Sequence, residues 1–204
     1  MRPIVPLALI LLVGAMLRLA LLLGPYKEID ADEAVVGLMA LHIPRELPAF
    51  FWEQHYLGSL EAFVAAAAFA VVGPSAAALK SVPAVFSLAF VLLVYLSARR
   101  AFGVGPALLA ALYLAIPPSF LAVWSVKARG GYAELLALGQ LFLLLCQILV
   151  ERRARGSGGL SRLAALAGLV GGAALWTHPL AVVYLAAGGL YVGLSRAVCP
   201  PSPP

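Results

Sequence analysis

Ser59-Leu60-Glu61-Ala62-Phe63-Val64-Ala65-Ala66-Ala67-Ala68-Phe69-Ala70-Val71-Val72-Gly73 is the stretch on which the topology turns. It is apolar apart from Glu61. At 1.5 Å per residue its fifteen residues cover only ~22 Å, short of the ~30 Å hydrocarbon core of a bilayer. Suppose it spans and the N-terminus is inside. Then Arg99, Arg100, Arg152, Arg153, Arg155 and Arg162 all fall outside. Suppose instead that it lies at the interface or re-enters. Those six residues then move inside with Arg2 and Arg196, while Lys27, Arg45, Lys80, Lys127 and Arg129 fall outside. Only the second arrangement obeys the positive-inside rule, so the run is expected not to cross.

Around it lie longer apolar runs at 4–24, 78–98, 104–122, 132–150, 162–177 and 179–195. The chain of 204 residues is 63% hydrophobic and 11% charged, with mean hydropathy +1.01. A soluble domain carries about 25% charged residues, so this composition excludes one, along with a disordered chain or a disulfide scaffold. The expected fold is all-α. It is a polytopic membrane protein of about six transmembrane helices, with short interfacial helices in the first extracytoplasmic loop. The first run carries Arg18 and lacks a small-x-small cleavage site, so it reads as a retained helix rather than a signal peptide. Cys146 lies in an apolar run and Cys199 in the Pro-rich tail 199–204, which gives no disulfide framework. The net charge of +5 reports orientation in a membrane, not a nucleic-acid surface.

Seven of the nine acidic residues fall between 28 and 61, in or beside the polar stretch 25–58. In Asp30-Ala31-Asp32-Glu33, adjacent carboxylates suit general-base work or a divalent cation held by hard oxygens. The same residues also read as a helix start, with Asp30 as N-cap, Glu33 closing a capping box, and Val35, Leu38, Met39, His42 and Ile43 on one face. Arg18 is costly against lipid, so it faces protein, a cavity or an anionic partner, or it snorkels to the headgroups. Lys127-Ala-Arg129-Gly-Gly-Tyr132-Ala-Glu134 sets two cations beside a glycine pair, which fits a phosphate or an ordinary basic turn. Gln54-His55-Tyr56 through Glu61 is rich in hydrogen-bonding groups that suit a sugar, or aromatic anchoring at the interface. His178-Pro179 marks a helix break. No His/Cys/Asp spacing resembles a zinc site, and no Walker loop, dinucleotide fingerprint or Ser-His-Asp set is present.

Taken in order, several strings resemble the GT-C superfamily of membrane glycosyltransferases. The likeness is to the bacterial protein O-mannosyltransferase and aminoarabinose transferase type, glycosyltransferase family 39-like. The strings are Asp32-Glu33-Ala-Val-Val-Gly-Leu-Met-Ala-Leu41, Gln54-His-Tyr-Leu-Gly-Ser-Leu-Glu61, Lys80-Ser-Val-Pro83-Ala84, Ala98-Arg-Arg-Ala-Phe-Gly103, Lys127-Ala-Arg129-Gly-Gly-Tyr132 and Trp176-Thr-His178-Pro179. The resemblance implies sugar transfer from a polyprenyl-phosphate donor to a protein, lipid or glycan acceptor on the outer face of a bacterial-type inner membrane, with inversion. It implies Asp32 as general base, with Glu33 supporting it or binding acceptor or metal. Arg18, Lys127, Arg129, Tyr132, Gln54, His55, Tyr56, Glu61 and His178 become candidates for the donor phosphate or substrate. A divalent metal would draw on Asp30, Asp32 and Glu134, although relatives with a second-loop metal motif use two acids where this chain has only Glu134. Residues 1–198 correspond to the N-terminal module of such an enzyme. The competing readings are a non-catalytic polyprenyl-phosphate-binding module and a small transporter or flippase. Transport fits less well, because a transporter sets its ionisable groups at mid-membrane in broken helices.

Overall fold

The computed structural model describes residues 4–198, with side chains through Ser195. Arg2, the side chain of Arg196, Cys199 and the tail 199–204 lie outside the described residues. The helices are α1 (Ile4–Leu23), α2 (Ala31–His42), α3 (Leu60–Val72), α4 (Ala76–Phe102), α5 (Val104–Ala115), α6 (Ser119–Trp124), α7 (Tyr132–Ala154), α8 (Leu160–Thr177) and α9 (Ala181–Val198). A small antiparallel hairpin, β1 (Phe50–Phe51) and β2 (Gln54–Gly58), sits between α2 and α3.

Among the described residues, four helices are long and apolar enough to cross a membrane: α1, α4, α7 and α8. This makes the chain an integral membrane protein, with fewer such helices than the six apolar runs imply. The 104–122 run fails because Ile116-Pro117-Pro118 cuts it into α5 and α6. Proline has no N–H to donate and biases the residue before it away from the helical region. The 179–195 run forms α9, of which only Ala181–Ser195 carries described side chains, so it is not among the four. The stretch between α1 and α4 holds two short helices, α2 and α3, and adds between them a hairpin that the sequence reading did not include. The stretch after Pro48 places Phe50-Phe51-Trp52 before Gln54–Gly58 and pairs as strands, with Glu53 at the turn in the left-handed region (φ 59°).

The helix in the 59–73 run, α3, is short, Leu60–Val72. It ends at Gly73 (φ 83°), Pro74 follows, and α4 restarts at once with Ser75 as N-cap, its hydroxyl accepting from the Ala78 amide. α2 and α3 pack together and against the start of α4, burying Val36, Met39, Ala40, Ala62, Ala65, Leu79 and Val82 under Phe51 and Leu57 of the hairpin. The buried face of α2 is therefore Val36-Met39-Ala40, and Leu38 is half exposed.

α7 is the central helix, packed on α4, α8 and α9. α4 and α7 run parallel. Ser87 and Phe90 share a small cavity with Tyr132 and Leu136, Gln140 donates to Ser97 (2.8 Å), and Arg100 reaches Glu151 (2.7 Å). α5 returns between them in sequence and packs on α1, with Leu7 and Ile10 beside Ala107 and Ala111. This pairing gathers the first loop, the 125–131 turn and the 177–180 break at one end of the bundle. The Arg99-Arg100 and Glu151–Arg155 turns lie at the other.

A candidate active site at the polar end

The site starts at the N-terminus of α2. Asp30 is the N-cap: its Oδ1 accepts from the Glu33 amide (3.1 Å), and Glu33 Oε2 accepts from the Asp30 amide (3.0 Å). This closes the capping box that the sequence spacing implied and satisfies two amides that would otherwise lack partners. Both acids do more than cap. Glu33, fully buried, also binds Lys80 Nζ (2.5 Å), Lys127 Nζ (3.3 Å) and the Ala128 amide (3.3 Å). Asp30 Oδ2 holds both Lys127 Nζ (2.7 Å) and Arg129.

Burial acts to raise the Asp30 pKa, but hydrogen bonds from Lys127 and Arg129 outweigh it and hold the carboxyl well below the usual range. Burial likewise opposes the charge on Lys127, and Asp30 and Glu33 together raise its pKa on balance. For Arg129, the hydrogen bond to Asp30 is the leading cause of a raised pKa. Lys127 and Arg129 also lie over aromatic rings, 5.7 Å from the Tyr26 centroid and 5.6 Å from that of Trp124.

Asp32 is different. It makes no hydrogen bond among the described residues, its side chain is 68% exposed, and its only charged neighbour is Arg129 Nε at 3.7 Å. It lines a cavity of about 210 Å³ together with Arg129, Gln54, Tyr56, Tyr132 and His178. Trp124 and Gly130 complete the wall on the α6–α7 side. Residues from four separated stretches of sequence thus meet around one largely exposed carboxylate.

The turn that carries Arg129 and Tyr132 is fixed from below by Glu61. Its Oε2 accepts from the amides of Gly130 (2.6 Å) and Gly131 (2.8 Å), both at positive φ (81° and 92°). Burial is the main cause pushing the Glu61 pKa well above the usual range. The Glu134 charge adds to this, and the two glycine amides oppose it. Glu61 Oε1 and both Glu134 carboxyl oxygens are sealed in protein without a partner. A side chain at Gly131 would come 2.7 Å from Thr177 Cγ2, and one at Gly58 would strike the Trp176 backbone. Trp176 Nε1 donates to Ala49 O (2.7 Å), tying the end of α8 to the first loop.

Several expected roles shift. Arg18 is 3% exposed and does not line the Asp32 cavity, although it shares a small neighbouring cavity with Trp124 and Tyr132. It donates to Ser87 Oγ (2.9 Å), Gly14 O (3.1 Å), Ala115 O (2.8 Å) and Leu114 O (3.2 Å). The Pro117-Pro118 break leaves the last carbonyls of α5 without helical partners, and this guanidinium supplies donors for them. Glu61 holds the glycine turn and does not line the cavity. Lys127 is enclosed by carboxylates, so Arg129 is the cation that faces the cavity. His55 points away into solvent on the hairpin. The proposed metal set of Asp30, Asp32 and Glu134 does not fit a cation. Asp30 already holds two cations, Glu134 is sealed in protein, and no three His, Cys, Asp or Glu side chains among the described residues converge on a point.

Sequence reasoning missed Lys80 and Trp124 as parts of the site. A lysine five residues into an apolar helix needs a buried acid, and that signal was available. Trp124 could not be found that way, because only the proline break turns it toward Tyr132. No family model, curated protein or solved structure matches the chain.

Proposed function

We propose that the chain carries the membrane module of a glycosyltransferase. It would move a sugar from a polyprenyl-phosphate donor to an extracytoplasmic hydroxyl acceptor, with Asp32 as general base. One observation carries the reading: of three clustered acids, Asp30 and Glu33 are hydrogen-bonded to cations, whereas Asp32 accepts no hydrogen bond among the described residues and meets only Arg129 Nε at 3.7 Å, on a polar cavity at the end of the bundle.

In this mechanism Asp32 takes the acceptor proton as the oxygen attacks the anomeric carbon. The bond from that carbon to the phosphate oxygen breaks on the opposite side, and the polyprenyl phosphate leaves with the electron pair. Arg129, held beside the cavity by Asp30, offers the charge that a phosphate ester needs. Glu33, Lys80 and Glu61 act as positioning residues behind it. The outer-face assignment follows from the arginine-rich turns at the opposite end, which the positive-inside rule puts in the cytoplasm.

The test is transfer from a panel of polyprenyl-phosphate sugars in the full-length protein. Asp32→Asn should lower turnover by about 10²–10⁴-fold with folded yield and donor binding retained. Near-normal turnover removes Asp32 as the base, and a loss confined to Asp30→Asn moves the role two residues back. For the face, a Cys at Ser157 should label only from the cytoplasmic side. Labelling from outside inverts the topology.

A further inference from the structure

The cavity beside Asp32 has one wall built of rings. Trp124 and Tyr132 meet edge to face with centroids 4.5 Å apart, and Tyr132 lies 4.7 Å from His178. These three residues come from α6, the first residue of α7 and the α8–α9 break, so no local sequence requirement brings them together. All three line the cavity, and Gln54 and Asp32 lie on the same cavity from the first loop.

His178 is the most constrained member of the wall. It is only 6% exposed, and its Nδ1 accepts a hydrogen bond from the Leu180 amide (3.1 Å). An amide can only donate, so Nδ1 must be the unprotonated nitrogen, and a neutral ring then carries its proton on Nε2. Burial also lowers the His178 pKa, which favours the neutral ring at pH 7. Nε2 has no partner among the described residues, and it is not one of the sealed polar atoms. The ring therefore presents a fixed, uncharged donor beside two aromatic faces.

Resting on the glycosyltransferase reading, we infer that this wall is the sugar subsite of the cavity: Trp124 and Tyr132 take the apolar face of a pyranose, and His178 donates through Nε2–H to one of its hydroxyl oxygens. The two ends of the donor are then recognised by different chemistry. The phosphate meets the cationic Arg129, and the neutral sugar meets a neutral donor and aromatic carbon. A protonated histidine would bind phosphate as readily as a hydroxyl. The Leu180 amide opposes protonation, because a proton on Nδ1 would break that hydrogen bond.

Binding without turnover provides the test. Purified full-length protein in lipid nanodiscs is titrated with farnesyl-phosphate mannose, farnesyl-phosphate glucose and farnesyl phosphate. Wild type should bind at least one glycosylated form more tightly than farnesyl phosphate. His178→Asn keeps an acceptor for the Leu180 amide but cannot reach the Nε2 position, and should weaken the preferred form about 3- to 10-fold, the scale of one neutral hydrogen bond. Farnesyl phosphate binding should be unchanged. His178→Gln carries an amide donor near the Nε2 position and should keep most of the preference. Tyr132→Ala, at a half-exposed residue, should lower the preference without altering farnesyl phosphate affinity.

Full sugar preference in both His178→Asn and Tyr132→Ala overturns the subsite while leaving the transferase reading in place. No preference for either sugar form in wild type overturns the transferase reading, and the subsite falls with it.

Discussion

The two ends of the bundle hold their charges in opposite ways. At the polar end, Glu33 and Lys80 are 0% and 1% exposed and in contact, and Asp30 is shared by two cations. At the other end, Arg100 and Glu151 form a pair whose side chains are 38% and 30% exposed, and Arg155 reaches the same carboxylate only at 3.9 Å. A buried ion loses hydration that its partners must replace, whereas an exposed ion keeps most of its water. The Glu33–Lys80 pair therefore depends on both members, while Asp30 and Arg129, 30% and 33% exposed, keep part of their water. The arginines at the other end keep more of their hydration, and their loss singly should cost little. The difference marks where the chain has fixed its geometry, which is around the largely exposed Asp32.

The largest effect that can break this comparison is at Lys80. Lys80→Met leaves Glu33 buried with Lys127 and amides only. Removing one partner of a buried pair costs on the order of 3–5 kcal/mol. The expected result is a sharp loss of folded protein in detergent and a large drop in thermal unfolding temperature. The double change Glu33→Gln with Lys80→Met removes both charges and should regain part of that loss. A stable Lys80→Met protein would mean that Glu33 does not need its lysine.

Next in size is Gly131→Ala. The residue sits at φ 92°, and its new Cβ would lie 2.7 Å from Thr177 Cγ2. Strain of this kind costs about 1–3 kcal/mol. It should lower unfolding temperature and also weaken donor binding, because Tyr132 is the next residue. Loss of stability with unchanged binding would separate the turn from the cavity.

Much of this was legible in the sequence. The capping box followed from the Asp30–Glu33 spacing, and the 59–73 run forms one helix too short to count as a span. The convergence of three distant polar segments at one end followed from counting arginines. The lost detail has physical causes. Apolar content alone does not reveal that Pro117-Pro118 divides a run, nor that Arg18 satisfies the carbonyls the break leaves open. Adjacent acids look alike in sequence, and only packing separates the tied Asp30 and Glu33 from the largely exposed Asp32. Glu61 was read as a sugar ligand because its string is polar. Its role under the Gly130-Gly131 turn depends on a contact across 69 positions.

A moderate effect is expected from pH, with opposite signs for two acids of the same end. The Asp30 carboxyl is held below its usual 3.8, so the stability it contributes is present above that value and is lost as pH falls through its folded pKa. Glu61 is raised above its usual 4.5, so its contribution is present below that value and is lost as pH rises through its folded pKa. Unfolding temperature measured from pH 5 upward should therefore decline for wild type, and Glu61→Gln, which keeps an acceptor for the glycine amides, should flatten the decline. Below pH 4 the Asp30→Asn protein should lose less stability than wild type. An unchanged alkaline slope in Glu61→Gln would remove Glu61 as its source.

The smallest effect is expected at Arg100, and it sharpens the comparison from the other side. The Arg100–Glu151 contact is short, 2.7 Å, and joins the ends of two parallel helices, so distance alone would class it with the Lys80–Glu33 pair. Exposure decides otherwise. With water on both side chains, ordering two long groups offsets most of the Coulomb gain, and exposed pairs of this kind contribute about 0.2–1 kcal/mol. A double-mutant cycle of Arg100→Ala and Glu151→Ala should give a coupling within that range, shrinking further in high salt because screened charges interact less. On the positive-inside reading proposed above, removing Arg100 alone should leave the topology to the remaining arginines of that end. A coupling as large as that between Glu33 and Lys80, insensitive to salt, would show that both ends lock their charges. The contrast between a fixed end and a solvated end would then have to be abandoned.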